Sequence, residues 1–388
     1  MSIMKIKEIK IKNYKVLKDV TLSNLSNMAV FLGANGSGKS TIFDVFSFIY
    51  DSLNTNVTKA LNKRGGFEKV ISQGQQGPIE FEITYFLPNN NPSYTYNLKI
   101  DIGQDNYPYI EHESLRHSES YLLKFSRGEG NVVAEIAKKH HARLFHKNET
   151  LESSDILAIK GFGQFQQYSS ISRLRRMIED WHIFDLDIYQ AKKSYSGGYS
   201  KYLSSTGDNL ASVTRYIYKK DPESFKNILH KMAKRVPGVD KVEAIETPDN
   251  RIILRFQDGS FKDPFNAEHV SDGTIKMFAY LLLLNEPETH SLLCMEEPEN
   301  HLHHKLMYEL SEEFREYTKQ GGQVFINTHS PQFVNGLELS EIFWLEKKDG
   351  FTRVHHGSDD ELLQSLVEAG DMPGALWRQG LMKGAGPR

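Results

Sequence analysis

The sequence predicts an α/β protein. A mostly parallel sheet flanked by helices joins an antiparallel β lobe and carries an inserted, mainly helical lid. Three observations carry this. Short apolar runs alternate with helical patterns through the last third of the chain. Stretches near the start alternate apolar and polar residues with a period near two. A glycine-rich loop, "GANGSGKST", separates an apolar run from a helical pattern.

The 388 residues suffice for one large domain or two ordinary ones. Hydrophobic residues at 39% and aromatics at 11% support a packed core and exclude general disorder. A net charge of −3 excludes a whole-protein electrostatic footprint for nucleic acid but leaves a local one open. The single cysteine, Cys294, permits no disulfide within the chain and suits a reducing cytosol. No apolar run reaches the roughly 18 residues of a membrane span. The start, "MSIMKIKEIKIKNYK", has no apolar signal core, so a cytoplasmic location is expected.

Residues 4–22 read as strands with one wet face, and "MAVFLG" (28–33) as a short strand ending in glycine. In "TIFDVFSFIY", Ile42, Val45, Phe46 and Ile49 fall at helical spacing. Residues 79–87 and 93–102 read as antiparallel strands joined by a turn at "PNNNP". Residues 120–165 give no clear pattern. Residues 171–181 and 221–236 read as helices, the second capped by Asp221 with Pro222 in its first turn and stopped by "PG". "KVEAIE" and "RIILRF" read as a strand pair, and 273–285 as a strongly apolar helix. "SLLCM", "QVFINT" and "EIFWLE" read as buried strands, with an amphipathic helix, "KLMYELSEEFREYTK", after the first. The Gly-rich tail after Asp371 is expected to be loose, with Leu376 and Trp377 as possible anchors. The expected divisions are 1–165, 166–240 (the lid or arm) and 241–388.

The loop Gly33-Ala34-Asn35-Gly36-Ser37-Gly38-Lys39-Ser40-Thr41 fits the P-loop pattern. Glycines let backbone N–H groups curl round a phosphate, and the following helix adds its positive end. Lys39 supplies charge to the β- and γ-phosphates, and the Ser40 hydroxyl ligates Mg²⁺. Such a loop needs a second strand that brings carboxylates beside the phosphates. "LLCMEE" provides one: Glu296 to hold Mg²⁺ and Glu297 to orient and polarise the attacking water. A zinc site from His301, His303 and His304 is the weaker reading, because H-x-H-H is an unusual spacing and cysteine partners are missing. Ser271 and Gly273 in "VSDGTIKMF" precede a helix and alone suggest an N-cap. His329 in "FINTHS" follows a buried strand and would stand at the sheet's carboxyl edge.

The order P-loop, "SDGT", acid strand and His strand resembles the ATP-binding cassette (ABC) superfamily. More narrowly, the chain resembles its SMC/RecF-like branch, among stand-alone and OLD-like "AAA family" ATPases. "IKNYKVLKDV", "RGGFEKV" (64–70), "STGDNLASV" (205–213), "EEPENHLH" (296–303), "THSP" (328–331) and "GALWRQGLMKG" (374–384) carry that narrower likeness. The resemblance implies an ABC-type ATPase head that works as a homodimer or higher even oligomer, with ATP and Mg²⁺ between two copies. Ser271 and the amide of Gly273 would then reach the γ-phosphate held by the partner's P-loop, and His329 would be the switch histidine. Position 296 is Glu where many such ATPases have Asp. The signature is "SDGT" where transporters have "SGGQ", which argues against transport. Gln73, Gln75, Gln164 and Gln166 are equal candidates for the Q-loop.

No long heptad arm separates the two halves. The stretch after Thr328 leaves no room for a Toprim nuclease, so a built-in nuclease is not expected; "FDLD" (184–187) reads as surface. Basic clusters at 138–147, 173–176, 192–193, 219–220 and 230–235, with the tyrosines of "SYSGGYSKY", leave DNA or RNA contact open. Two readings of function stand beside a plain third, a nucleotide-gated scaffold that hardly turns over. One is the ATPase switch of an anti-phage defence or toxin–antitoxin-like module with a separate effector; the lid and the tail are expected to bind that effector, nucleic acid or both. The other is a genome-maintenance ATPase that acts directly on DNA.

Overall fold

The computed structural model describes residues 4–87, 93–138 and 141–386, with backbone alone over 135–144. The turn expected at 88–92 lies outside the described residues, as does part of the basic cluster at 138–147.

Two large sheets and one small sheet build the fold. The six-stranded sheet runs Trp181–Phe184, Leu292–Glu296, Gln323–Asn327, Met28–Gly33, Ile342–Lys348, Phe351–His356. Its first five strands are parallel, and only the last is antiparallel to its neighbour. Parallel strands buried on both faces read as continuous apolar runs, and "MAVFLG" is buried at every position. The parallel register brings the carboxyl ends of the strands to one edge, where α/β proteins bind ligands. Residues 120–165, unread from sequence, supply three further strands of the eight-stranded antiparallel sheet: Ser120–Ser126, Glu129–Lys138 and His141–Thr150. The hairpin between the first two turns at Arg127 and Gly128, both with positive φ. An Asn-Gly or Asp-Gly pair would have marked it in the sequence.

The helix Lys39–Asn54 buries Ile42, Val45, Phe46 and Ile49 as its spacing predicts, together with Phe43 and Phe48. Phe43 meets Phe31, and Phe46 meets Phe325 and Trp181, all edge-on at 5.2–6.0 Å. Each such ring contributes about 1.5–3 kcal/mol by burial. This fastens the helix across three strands. The "RGGFEKV" segment braces its outer face. Arg64 donates to Asp44 at 2.7 Å, Asp51 at 2.9 Å and the Ser47 hydroxyl at 3.0 Å.

Within 166–240 lie the helices Ser169–Glu179, Ile188–Ala191, Leu210–Lys220 and Pro222–Arg235. Asp221 caps the last of these by accepting from Ser224 N at 3.0 Å. Its Phe225, Ile228 and Met232 share a core with the helix Asp272–Leu283. The same segment also supplies the edge strand Trp181–Phe184. The tail is fixed rather than loose. Pro373–Arg378 is helical, Leu376 and Trp377 are buried, and Lys383 O accepts from Trp344 Nε1 at 3.2 Å. Glycine there permits close packing: a Cβ on Gly374 would lie 1.9 Å from Pro331 O. Among the described residues no helix is long and apolar enough to cross a membrane.

A charged cluster fastens the edge strand to the sheet. Asp180 accepts from Ser291 N at 2.6 Å. His290 sits 3.4 Å from Asp180 and 3.0 Å from Glu286, stacked on His182. Burial pulls the His290 pKa down, but the two carboxylates outweigh it and push it up to about 9 from 6.5. The folded value exceeds the unfolded one, so this contribution is full below pH 6.5 and is lost as pH rises through about 9. Urea midpoints are expected to fall across that window, and less steeply in His290→Gln. An equal slope in both proteins would place the pH dependence elsewhere.

Candidate functional site

The loop Gly33–Thr41 closes between the strand Met28–Gly33 and the helix Lys39–Asn54. Its glycines answer steric demands. A Cβ on Gly33 would stand 2.5 Å from Ser37 Oγ and 2.8 Å from Leu345 O. Gly38 has φ 109°, and a Cβ there would lie 2.4 Å from Thr352 Oγ1. Gly36 has φ 75° with open space around it, at the exposed mouth beside Asn35. Thr352 donates to Ser37 O at 2.7 Å and so braces the loop from the antiparallel edge strand, which the sequence reading missed. Lys39 is buried, and its Nζ donates to Gly33 O at 2.7 Å and Ala34 O at 3.2 Å. Thr41 completes the first helical turn, whose N–H groups have no partner within the helix.

Glu296 ends its strand beside this loop. Its Oε2 accepts from Ser40 Oγ at 2.9 Å and from Asn327 Nδ2 at 3.2 Å. Asn327 is the register partner of Glu296, and its Oδ1 takes the Glu297 N–H at 2.8 Å. One buried amide thus holds both acids. Glu297 has φ 42°, a conformation most residues avoid. Its Oε2 accepts from Asn300 at 2.7 Å, and its Oε1 stands 3.5 Å from His329 Nε2. His329 N donates to Glu299 Oε1 at 2.5 Å. Burial, then the charge of Lys39, lower the His329 pKa, so its imidazole is neutral near pH 7. Burial also lowers the Lys39 pKa, against the pull of Glu297, Glu299 and Glu296.

Ser271 caps the helix Asp272–Leu283, its Oγ accepting from Thr274 N at 3.2 Å. Gly273 packs so closely on the turn after the acids that a Cβ would lie 2.6 Å from His301 O. Lys276, one turn on, donates to Glu297 O at 3.1 Å. Burial lowers its pKa to about 8, partly offset by Glu299, Asp185 and Glu297. The structure therefore gathers the loop, Glu296, Glu297 and His329 at one edge. Among the described residues no hydrogen bond joins Ser271 or Gly273 to the loop. The three histidines do not converge on one point. His301 faces Asp272 at 3.8 Å, while His303 and His304 pack on each other. Among the described residues no group of three or more His, Cys, Asp or Glu is placed to hold a metal ion by side chains alone. Gln164 donates to Lys160 O, and no hydrogen bond joins a candidate glutamine to the loop among the described residues. Asp187 caps the short helix Ile188–Ala191. Asn327, Thr352 and Lys276 are the site residues the sequence reading missed. Only Asn327 left a trace, as a polar residue ending a buried strand.

An open cleft of roughly 1330 Å³ adjoins the loop, lined among others by Asn35, His329, Lys347, Trp377 and Arg378. The residues fit a phosphate group with a hard cation. The loop is open at Gly36, Ser37 Oγ is buried without a partner among the described residues, and Ser40 and Glu296 offer adjacent oxygens.

Residues 28–335 match the protein family described as "AAA domain, putative AbiEii toxin, Type IV TA system". The chromosome partition protein Smc of Methanococcus voltae is 26% identical over 156 residues, 38% of this chain and 12% of that protein. The match thus spans a small part of that relative's length. A crystal structure of an Smc head bound to the C-winged helix domain of ScpA is similar at TM-score 0.56 and 16% identity, covering 90% of this chain and 97% of that one. An Smc head with an extended coiled coil, bound to the C-terminal domain of ScpA derived from Pyrococcus furiosus, gives TM-score 0.54 and 13% identity, covering 95% and 100%. At these identities the structural likeness speaks to the fold alone, that of an Smc head.

The Asn327 amide yields a direct test. Asn327→Ala removes one of two partners from Glu296 Oε2, which keeps Ser40, and from the Glu297 N–H, which keeps Asn327 O, at a cost of about 0.5–1.5 kcal/mol. Asn327→Asp sets a third carboxylate against Glu296 and is expected to cost at least as much. Urea unfolding reads both, and unchanged midpoints would show that the acids do not depend on this residue.

Proposed function

The chain belongs to the AAA-domain family matched over residues 28–335, with an SMC/RecF-like, ABC-type ATPase head, and on that premise we propose that it is an ATP-hydrolysing switch working as a dimer of heads. One observation carries this reading: the Ser40 hydroxyl lies 2.9 Å from Glu296, so the phosphate loop and the acid strand meet. Each nucleotide lies between the loop of one copy and the Ser271–Gly273 segment of the other. One loop and one such segment per chain make a second copy necessary.

The loop amides and the helix N-terminus bind the phosphates. Lys39 releases the carbonyls of Gly33 and Ala34 and turns to the β- and γ-phosphate oxygens. Ser40 and Glu296 are the residues that would hold Mg²⁺, which when bound supplies charge neutralisation of the phosphates. Glu297 orients the attacking water and takes its proton at Oε1 or Oε2, fixed in place by Asn300. His329, whose Nε2 stands 3.5 Å from Glu297 Oε1, reports the γ-phosphate to that acid. Ser271 and the Gly273 amide donate to the γ-phosphate across the dimer. Positioning and charge stabilisation do most of the work in phosphoryl transfer.

The family's description as a toxin and toxin–antitoxin group favours the switch of a prokaryotic defence or toxin–antitoxin-like module, acting in the cytoplasm with a separate effector. The partial Smc likeness supports a second reading, an ATPase acting directly on DNA. Marked stimulation of hydrolysis by DNA, without any effector, would favour the second.

Lys39→Ala is expected to abolish nucleotide binding. Glu297→Gln should keep binding, lose ~10²–10⁴ in turnover and accumulate an ATP-bound dimer visible by light scattering. Normal turnover in Glu297→Gln with none in Glu296→Gln would reverse the two acids. Separately, the specific rate of the native chain should rise with protein concentration. A full specific rate from a dilute monomer would sink the dimer.

A further inference from the structure

We propose that Lys276 is a positioning residue that ties the Ser271–Gly273 segment to Glu297, so that each chain's contact with its partner's nucleotide sets the acid over its own. This rests on the dimer reading above and adds to it the means by which the two sites communicate.

Lys276 lies in the second turn of the helix Asp272–Leu283 and is 5% exposed. Its helix neighbours Ile275, Met277 and Phe278 are buried and apolar. A leucine or methionine would serve packing alone, since a lysine carries a desolvation cost unless its head group is used. The Nζ is used: it donates to the carbonyl of Glu297 at 3.1 Å. Glu297 stands in the left-handed region, which persists only when the surroundings over-determine it. Lys276 holds this residue at its carbonyl, and Asn327 holds it at its N–H.

The helix meets the same turn again at Gly273, which presses on His301 O, where a Cβ would be 2.6 Å away. The Asp272 carboxylate, 3.8 Å from His301 Nδ1, is held instead by Lys192 at 2.6 Å. His301 is itself left-handed, with φ 65°. Helix start and acid turn therefore form one mechanical unit with two close contacts. The start serves the partner's nucleotide, while Glu297 serves the chain's own. A shift of the helix start by an ångström either carries the Glu297 carbonyl with it or breaks the Lys276 bond. Side-chain burial and the Gly273 contact oppose slippage, so the carbonyl moves with the helix. Coupling between sites typically changes an affinity by roughly 5–150-fold.

The test uses the full chain with Lys276→Met, which keeps the apolar stem, and Lys276→Arg, which keeps a donor. The readouts are nucleotide affinity, melting temperature, kcat and the steepness of the rate against ATP. The native chain is expected to respond sigmoidally. Lys276→Met is expected to bind nucleotide as tightly and melt at a similar temperature. It should lose the sigmoidal response and lower kcat. Lys276→Arg should retain most of both. Three results would overturn the proposal: an unchanged kcat and steepness in Lys276→Met, an equal loss of melting temperature and affinity in both variants, or a native chain that depends on protein concentration yet responds hyperbolically to ATP. The last leaves the dimer standing. A native rate independent of protein concentration removes the dimer reading and this proposal together.

Discussion

The amide of Asn327 is the point on which the site depends. It stands at the end of a fully buried strand, opposite Glu296 on one side and Phe31 on the other. Its Nδ2 faces the Glu296 carboxylate and its Oδ1 the N–H of Glu297. No other side-chain type of that size offers both a donor and an acceptor in this fork. The two acids point apart because this residue holds one by its side chain and the other by its backbone. Glu296 is aimed at Ser40, while Glu297 is turned out toward Asn300 and His329.

The parallel sheet makes that fork possible. Side-by-side strands in parallel register end together, so the loop, the acids and His329 arrive at one edge without any long-range design of loops. Aromatic packing of Phe31, Phe43, Phe46 and Phe325 fixes the helix after the loop to the same strands. From outside, Arg64 joins Asp44, Asp51 and Ser47 of that helix, and Tyr14 and Lys15 of the antiparallel sheet reach the same Asp44. The β lobe thus supports the phosphate loop through one shared carboxylate.

The charges of the site balance only locally. Lys39 is buried among Glu296, Glu297 and Glu299, with its ammonium folded onto its own loop. Glu299 gives one oxygen to His329 N, and its other is buried without a partner among the described residues. An unpaired buried oxygen carries a desolvation cost. The arrangement suits a site whose proposed ligand brings several phosphate charges and a cation.

The sequence by itself determined the phosphate loop, the acid strand, the strand before His329 and the caps at Asp221 and Ser271. Each is a local pattern in which backbone sterics or periodicity demand particular residue types. It also carried the order of motifs that set the fold class. The tertiary structure alone decided what joins them. Thr352, Asn327 and Lys276 act through partners 315, 31 and 21 residues away, and no local period or spacing records such contacts. The strands of 120–150 escaped notice because their tight turn uses Arg127 and Gly128 rather than a marked turn pair. The tail was misread as loose because glycine signals freedom in a sequence. In the fold, Gly374 instead lets two backbones touch, and Trp344 on a distant strand holds the chain at Lys383.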